Sequence, residues 1–260
     1  THDIFGKRLH TYTIKDAIGD GNVLGFDITY FNPTIEIESL DEKHSEKDYE
    51  KEVYQSHVYR EQVVQDILNH WDKTSSGALV AGKREKNVFQ AMLAVSGKQA
   101  VVHYYNLFKE KAPHLRVAMT FSRDESNQPG TKEQNEALKK AIKEYSSCFN
   151  VPSLLNAQEP ARAYMIDITK RLARKKPYNQ GKDEDRLDLV IVSDQLLTGF
   201  DSKYINTIYM DKQLREGMLI QAMSRTNRTF HLNSKPHGKV RFYRQGEQMK
   251  SFVENALRSY

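Results

Sequence analysis

LVIVSDQLLTGFDSKYINTIYMDKQLREGMLIQAMSRTNR, residues 189–228, decides the fold. Leu187–Val192 reads as a buried strand, Ile205–Met210 as the next strand and Met218–Thr226 as a helix. The loop Ser193–Asp201 leaves the carboxyl end of the first strand, where ligands of parallel sheets bind. In it, Gly199 has no side chain to keep the backbone away from a phosphate or ribose. Thr198 offers a hydroxyl and a backbone N–H, and Asp194 and Asp201 offer acceptors for ribose hydroxyls, arginines or metal-bound water. A turn with helix-capping aspartates accounts for the same residues.

On a helix, Gln221, Arg225 and Arg228 stand at i, i+4 and i+7 and share one stripe. Two guanidiniums beside a glutamine suit a triphosphate, because arginine keeps its charge and its fork matches phosphate oxygens. A surface helix with two solvated arginines is the plainer alternative for an isolated RxxR. The loop and the helix lie about 20 residues apart with a strand between them, and both are expected at the same edge of the sheet.

Outward from this stretch, strands and helices alternate. Leu24–Phe31 reads as a strand, with Phe26, Ile28 and Tyr30 alternating with Asp27 and Thr29. Residues 41–52 are charged and expected to be solvated. Asp48–Trp71 turns helical, with Val64, Ile67, Leu68 and Trp71 on one face, until Ser75-Ser76-Gly77 breaks it. Val88–Val95 is apolar but for Gln90, as in a strand buried on both faces. Helices follow at Gln99–Lys111, Lys132–Tyr145 and Ala161–Lys175, with a strand at Leu115–Phe121, a polar loop at 124–130 and a last strand at Lys239–Tyr243. The pattern predicts an α/β fold whose parallel sheet is covered by helices on both faces.

Composition sets bounds. Lys and Arg number 39 against 34 for Asp and Glu, a net charge of +5, which is compatible with a polyanionic partner but does not require one. No run approaches 18 apolar residues and no signal-peptide pattern occurs, so neither a membrane span nor secretion is expected, and a cytoplasmic location is. Cys148 stands alone, which excludes an internal disulfide and a multi-cysteine zinc site; it reads as a small buried residue. No histidines stand at HExxH spacing, and no metal is expected. Tyr104-Tyr105 fits a core stripe. The basic cluster Lys170, Arg171, Arg174, Lys175 and Lys176 reads equally as a solvated helix end or a phosphate contact.

Asp194 through Gly199 to Asp201 resembles motif V of superfamily-2 helicases, and Gln221-Ala222-Met223-Ser224-Arg225-Thr226-Asn227-Arg228 resembles motif VI, with Ser224 where many members have glycine. The whole string 189–228 is similar to one branch, the motor (R) subunit of type I restriction enzymes. Phe5-Gly6-Lys7, Tyr12-Thr13-Ile14, Asp16-Ala17-Ile18 and Asn22-Val23-Leu24 resemble the stretch after the first motor lobe of those subunits. Ala91-Met92-Leu93-Ala94-Val95-Ser96 resembles their motif IV region. The resemblance spans roughly residues 4–230 and is weakest over 112–185.

The resemblance implies a second RecA-like lobe over residues 76–245. Before it would come a connecting segment with a strand and helix over 1–75, and after it, over 246–260, the start of a helical region. It implies that Arg225 and Arg228 contact ATP phosphates, that Gln221 orients the γ-phosphate or the attacking water, and that Gly199, Asp201 and Asp194 line the nucleotide. Thr198, Ser96 and Lys98 would face the DNA backbone. ATP with magnesium would act in the full-length subunit, with none bound to this segment alone. Partners would be double-stranded DNA, modification and specificity subunits, and the first motor lobe and nuclease domain of the same subunit.

No GxxxxGK[ST] loop, no Asp-Glu-Ala-His-like box and no convincing nuclease core occurs. Gly181-Lys182-Asp183-Glu184 has the residue types of such a core but reads as a solvated loop. The chain begins at Thr1 rather than Met and is expected to be part of an enzyme rather than an enzyme alone. A degenerate DNA- or subunit-binding module, or a lobe of another superfamily-2 helicase, is the alternative.

Overall fold

The computed structural model describes residues 12–31, 52–74, 77–80, 83–86, 89–122, 130–230 and 234–259. The charged tract 41–51, the break at Ser75-Ser76, residue Val88, most of the polar loop 124–130 and the motif-like Phe5-Gly6-Lys7 lie outside them. In chain order the elements are α1 (Ile14–Gly19), β1 (Gly25–Tyr30), α2 (His57–Asn69), α3 (Trp71–Thr74), β2 (Gly77–Val80), β3 (Lys83–Lys86), β4 (Gln90–Val95) and α4 (Lys98–Lys111). Then follow β5 (Val117–Thr120), α5 (Thr131–Cys148), α6 (Pro160–Leu172), β6 (Leu189–Val192), β7 (Ile205–Asp211), α7 (Glu216–Met223), β8 (His237–Phe242) and α8 (Gly246–Ser259).

Six strands form one sheet in the order β1-β8-β7-β4-β6-β5, and every pairing in it is parallel. Every residue of β4, β6 and β7 is buried, the signature of strands covered on both faces. β8 alternates half-buried and buried residues. The sheet takes its edge strand β1 from within the 1–75 segment, because β1 pairs with β8 from Gly25–His237 to Tyr30–Phe242. An antiparallel hairpin, β2 with β3, stands apart from this sheet. Sequence reading does not foresee it, since its eight strand residues offer no long period.

The core gathers the predicted stripes. Val64, Ile67 and Trp71 are buried, as are Leu138, Ala141, Ile142 and Tyr145 of α5, and Tyr104 and Tyr105 of α4. Two expectations fail. Cys148 is exposed, because it is the last residue of α5, past the buried stripe. Arg171 does not belong to a basic surface: it is 1% exposed. Its Nε donates to Asp167 at 2.8 Å, and its guanidinium sits between the rings of Phe149 and Tyr178. A solvated arginine at a helix end and a buried, aromatic-clamped one look alike in sequence.

Buried aspartates hold helices to the sheet. Asp211, the last residue of β7, is fully buried. It accepts hydrogen bonds from Tyr59 of α2 and Tyr104 of α4, both at 2.8 Å, and from Arg244 Nε at 2.6 Å. Asp66 of α2 accepts in the same way from Arg241 and Tyr243. Removing one partner of a buried ion pair leaves the other uncompensated, at a cost of about 3–5 kcal/mol. Asp211→Ala is therefore expected to lower unfolding stability by about that amount, measured by urea titration; a loss under about 1 kcal/mol, as at an exposed ion pair, would contradict it.

Candidate functional site

The connection from β6 to β7 is the key to the site. β6 and β7 both run parallel to β4, which lies between them, so residues 193–204 return from the carboxyl edge of the sheet to its amino edge, and they do so without a helix. The crossing is anchored by Leu196, Leu197 and Phe200, all buried. Leu196 and Gly199 both have φ of 69°, the left-handed region. A Cβ on Gly199 would meet nothing within 4 Å, so glycine is needed there for its backbone angle rather than for space.

The crossing separates the two aspartates. Asp194 stays at the carboxyl edge, where it pairs with Lys212, the residue after β7; Lys212 Nζ also donates to Ser193 O at 2.8 Å. Gln195 accepts from Thr120 at 2.6 Å on the same edge. Ser96 and Lys98 flank Gly97 where β4 enters α4, at this edge too. Asp201 reaches the amino edge, where its Oδ1 accepts from Arg228 Nε at 2.7 Å. Thr198 and Gly199 are exposed on the crossing itself.

The arginine segment also departs from expectation. α7 ends at Met223 with Ser224 as its cap, so Gln221, Arg225 and Arg228 do not form one helical stripe. α7 runs back from the carboxyl end of β7 and delivers residues 224–230 to the amino edge. There Leu24 N–H, just before β1, donates to Asn227 O at 2.7 Å. The expectation that the loop and the arginines share one carboxyl edge is thus corrected: Asp201 meets the arginines at the amino edge, and Asp194 does not.

The arginines nonetheless stand together. Arg225 Nε donates to Gln221 O at 3.0 Å, leaving the exposed Gln221 side chain beside it. Burial pushes the Arg225 guanidinium pKa down, the Arg228 charge pushes the same way, and Asp201 opposes them. Between them, Thr226 and Asn227 are buried and fix the segment. Lys235, which belongs to no motif and escapes sequence reading, joins this edge. It is 4% exposed. Its Nζ donates to Lys203 O at 3.1 Å and Ile205 O at 2.8 Å.

Elsewhere, a concavity of about 710 Å³ lined by His57, His103, Glu110 and Glu133 among others lies between α2, α4 and the start of α5, away from the arginines. Among the described residues no group of three or more His, Cys, Asp or Glu side chains is arranged to hold a metal. Nor is any described helix long and apolar enough to cross a membrane.

A parallel sheet clad in helices, crossed by an Asp/Gly loop and carrying an arginine segment at its amino edge, has the RecA-like fold. The chain belongs to the family described as type I restriction enzyme subunit R domain 3, which matches residues 87–245. It is 33% identical, over its whole length, to the type I restriction enzyme SauCOLORF180P endonuclease subunit of Staphylococcus aureus (strain COL), and spans 27% of that protein. Two solved structures share the fold at 13% identity. One is a fragment described as an HsdR subunit of a type I restriction enzyme from Vibrio vulnificus YJ016, with a TM-score of 0.51 over all of this chain and 39% of that one. The other is the ATP-dependent Type ISP restriction-modification enzyme LlaBIII bound to DNA, with a TM-score of 0.50 over 99% of this chain and 15% of that one.

Burial pushes the Lys235 ammonium down to about 7, with Asp201 opposing and Arg228 adding to the shift. Between that value and the ordinary lysine range the unfolded chain binds a proton that the folded chain does not, so this group's contribution to stability rises with pH from 7 upward, by up to about 1.4 kcal/mol per pH unit. The wild type is expected to gain thermal stability over Lys235→Met between pH 7 and 9, read by circular dichroism melting. Parallel curves for the two proteins across that range would refute the burial argument.

Proposed function

We propose that this domain is the second motor lobe of a type I restriction R subunit, and that it supplies Arg225 and Arg228 to the phosphates of an ATP held against the first lobe. The observation that carries the reading is the pair of arginines on one buried-anchored segment, with Asp201 paired to Arg228 and acting on Arg225 at longer range. Like charges held side by side repel, and a polyphosphate relieves that repulsion more fully than one carboxylate can. Among the described residues Arg225 makes no ion pair, so its fork can serve an anion arriving from another domain.

ATP, when bound with magnesium, supplies the γ-phosphoryl group whose cleavage drives the motor. This chain's part is to donate to the phosphate oxygens from Arg225 and Arg228, and from Gln221 to the γ-phosphate or attacking water. Asp201 orients Arg228, and Gly199 lets the crossing turn beside it. The phosphate cradle and the magnesium ligands are assigned to the first lobe, since no GxxxxGK[ST] occurs in this sequence.

The carboxyl edge, with Ser96 and Lys98, faces the backbone of duplex DNA, and Thr198 lies on the path between the two sides. Translocation would precede cleavage by a nuclease domain of the same subunit, acting with modification and specificity subunits. Both structural relatives carry the fold in restriction enzymes, and LlaBIII is described as ATP-dependent and DNA-bound.

In the intact R subunit, Arg225→Ala is expected to remove at least about 3 kcal/mol of transition-state stabilisation, more than a hundredfold in kcat/KM for ATP. ATPase activity within a few-fold of wild type would refute the assignment and favour a lobe that only binds DNA or a partner subunit.

A further inference from the structure

We propose that Gly238 is a positioning residue that sets where the arginine segment stands; this rests on the reading of Arg225 and Arg228 given above. Gly238 is the second residue of β8. Along that strand Gly238, Val240 and Phe242 are buried while His237, Lys239 and Arg241 are half-buried, so glycine occupies a register at which its neighbours place core side chains. A glycine there weakens a strand, and close approach of another backbone is the usual reason for one.

The close neighbour is Thr226. A Cβ built on Gly238 would lie 2.3 Å from Thr226 Oγ1, 2.8 Å from its carbonyl carbon and 2.9 Å from its carbonyl oxygen. Two of those three atoms are backbone, which cannot rotate away. Gly238 is not among the residues of positive φ, so its conformation does not call for glycine. The position requires room, the reverse of Gly199, which has open space and a left-handed angle.

Thr226 has little freedom to yield. Its hydroxyl donates to Met223 O at 2.8 Å and its N–H to the same oxygen at 3.0 Å. The next residue, Asn227, receives the Leu24 N–H. The segment is therefore gripped by the end of α7, by the chain entering β1 and by the bare backbone of β8. Arg225 and Arg228 stand one residue before and two residues after Thr226, so a methyl group at position 238 displaces both guanidiniums. Misplacement of about 1 Å at a reacting centre costs on the order of a hundredfold in rate.

The test is a double-mutant cycle of Gly238→Ala and Thr226→Ala in the intact R subunit, read as ATPase kcat and as KM for ATP, with Val240→Ala as a same-face control. Gly238→Ala is expected to lower kcat about 10- to 100-fold with KM within about threefold. Val240→Ala, which destabilises the same strand, is expected to leave kcat within about threefold. The cycle is expected to be less than additive, since Thr226→Ala removes the nearest of the three atoms.

A Gly238→Ala enzyme with wild-type kcat, an equal loss in Val240→Ala, or strict additivity overturns the proposal. If Gly238→Ala alone does not fold, the double variant decides. A kcat about threefold or more below that of Thr226→Ala supports the seat, because two backbone contacts remain, and a kcat within about threefold of it overturns the proposal. Loss of ATPase in Arg225→Ala but not in Gly238→Ala sinks the positioning role alone, whereas normal ATPase in Arg225→Ala sinks the arginine reading beneath it.

Discussion

A carboxylate with no exposure to water must be compensated or the fold does not form. Asp211 meets that condition by drawing four parts of the chain to one point: β7, which carries it, α2 through Tyr59, α4 through Tyr104, and the segment after β8 through Arg244. Moving an ion from water into a protein interior costs several kcal/mol, and only dense hydrogen bonding repays it. Burial and the nearby carboxylate keep both tyrosines protonated, so they remain donors. The arrangement fixes the covering helices in register as well as in contact, which apolar packing alone does less sharply. Asp167 does the same for α5 and α6, holding Tyr145 and Arg171.

Much of the sheet is legible in the sequence for a simple reason. Runs such as Leu189–Val192 and Ala91–Val95 carry no charge because water never reaches either face. Helices announce themselves by stripes such as Leu138, Ala141, Ile142 and Tyr145. The buried polar clusters are not legible, because a tyrosine at helical spacing reads as core whether or not its hydroxyl meets an aspartate. Arg171 shows the same limit from the other side: its charge says nothing about which way it points. The helix that carries Gln221 reads as continuing to Thr226 because its periodicity continues. It stops at Met223 where contacts from Leu24 and Gly238, remote in sequence, take hold.

The candidate site was legible as residues and not as a place. Asp201, Arg225 and Arg228 do come together. Asp194 belongs to the other edge because β6 and β7 run parallel, so the chain leaves β6 at the carboxyl edge and must return to the amino edge before β7 begins. Lys235 and Gly238 carry no motif at all. One is found only by its burial, the other only by the atoms that occupy the space its missing side chain leaves.

The crossing between β6 and β7 has a mechanical meaning. Asp194 and Asp201 are seven residues apart in the chain yet serve opposite edges of a sheet whose strand β6 is about 13 Å long. A loop with slack would absorb a displacement at either end. This one is pinned at Leu196, Leu197 and Phe200 and holds a leucine in the left-handed region, a conformation sustained only where the surroundings impose it. Its short length and buried anchors fix the spacing of Asp194 and Lys212 on one edge from Asp201 and Arg228 on the other, so the crossing helps the strands set the distance between the two edges.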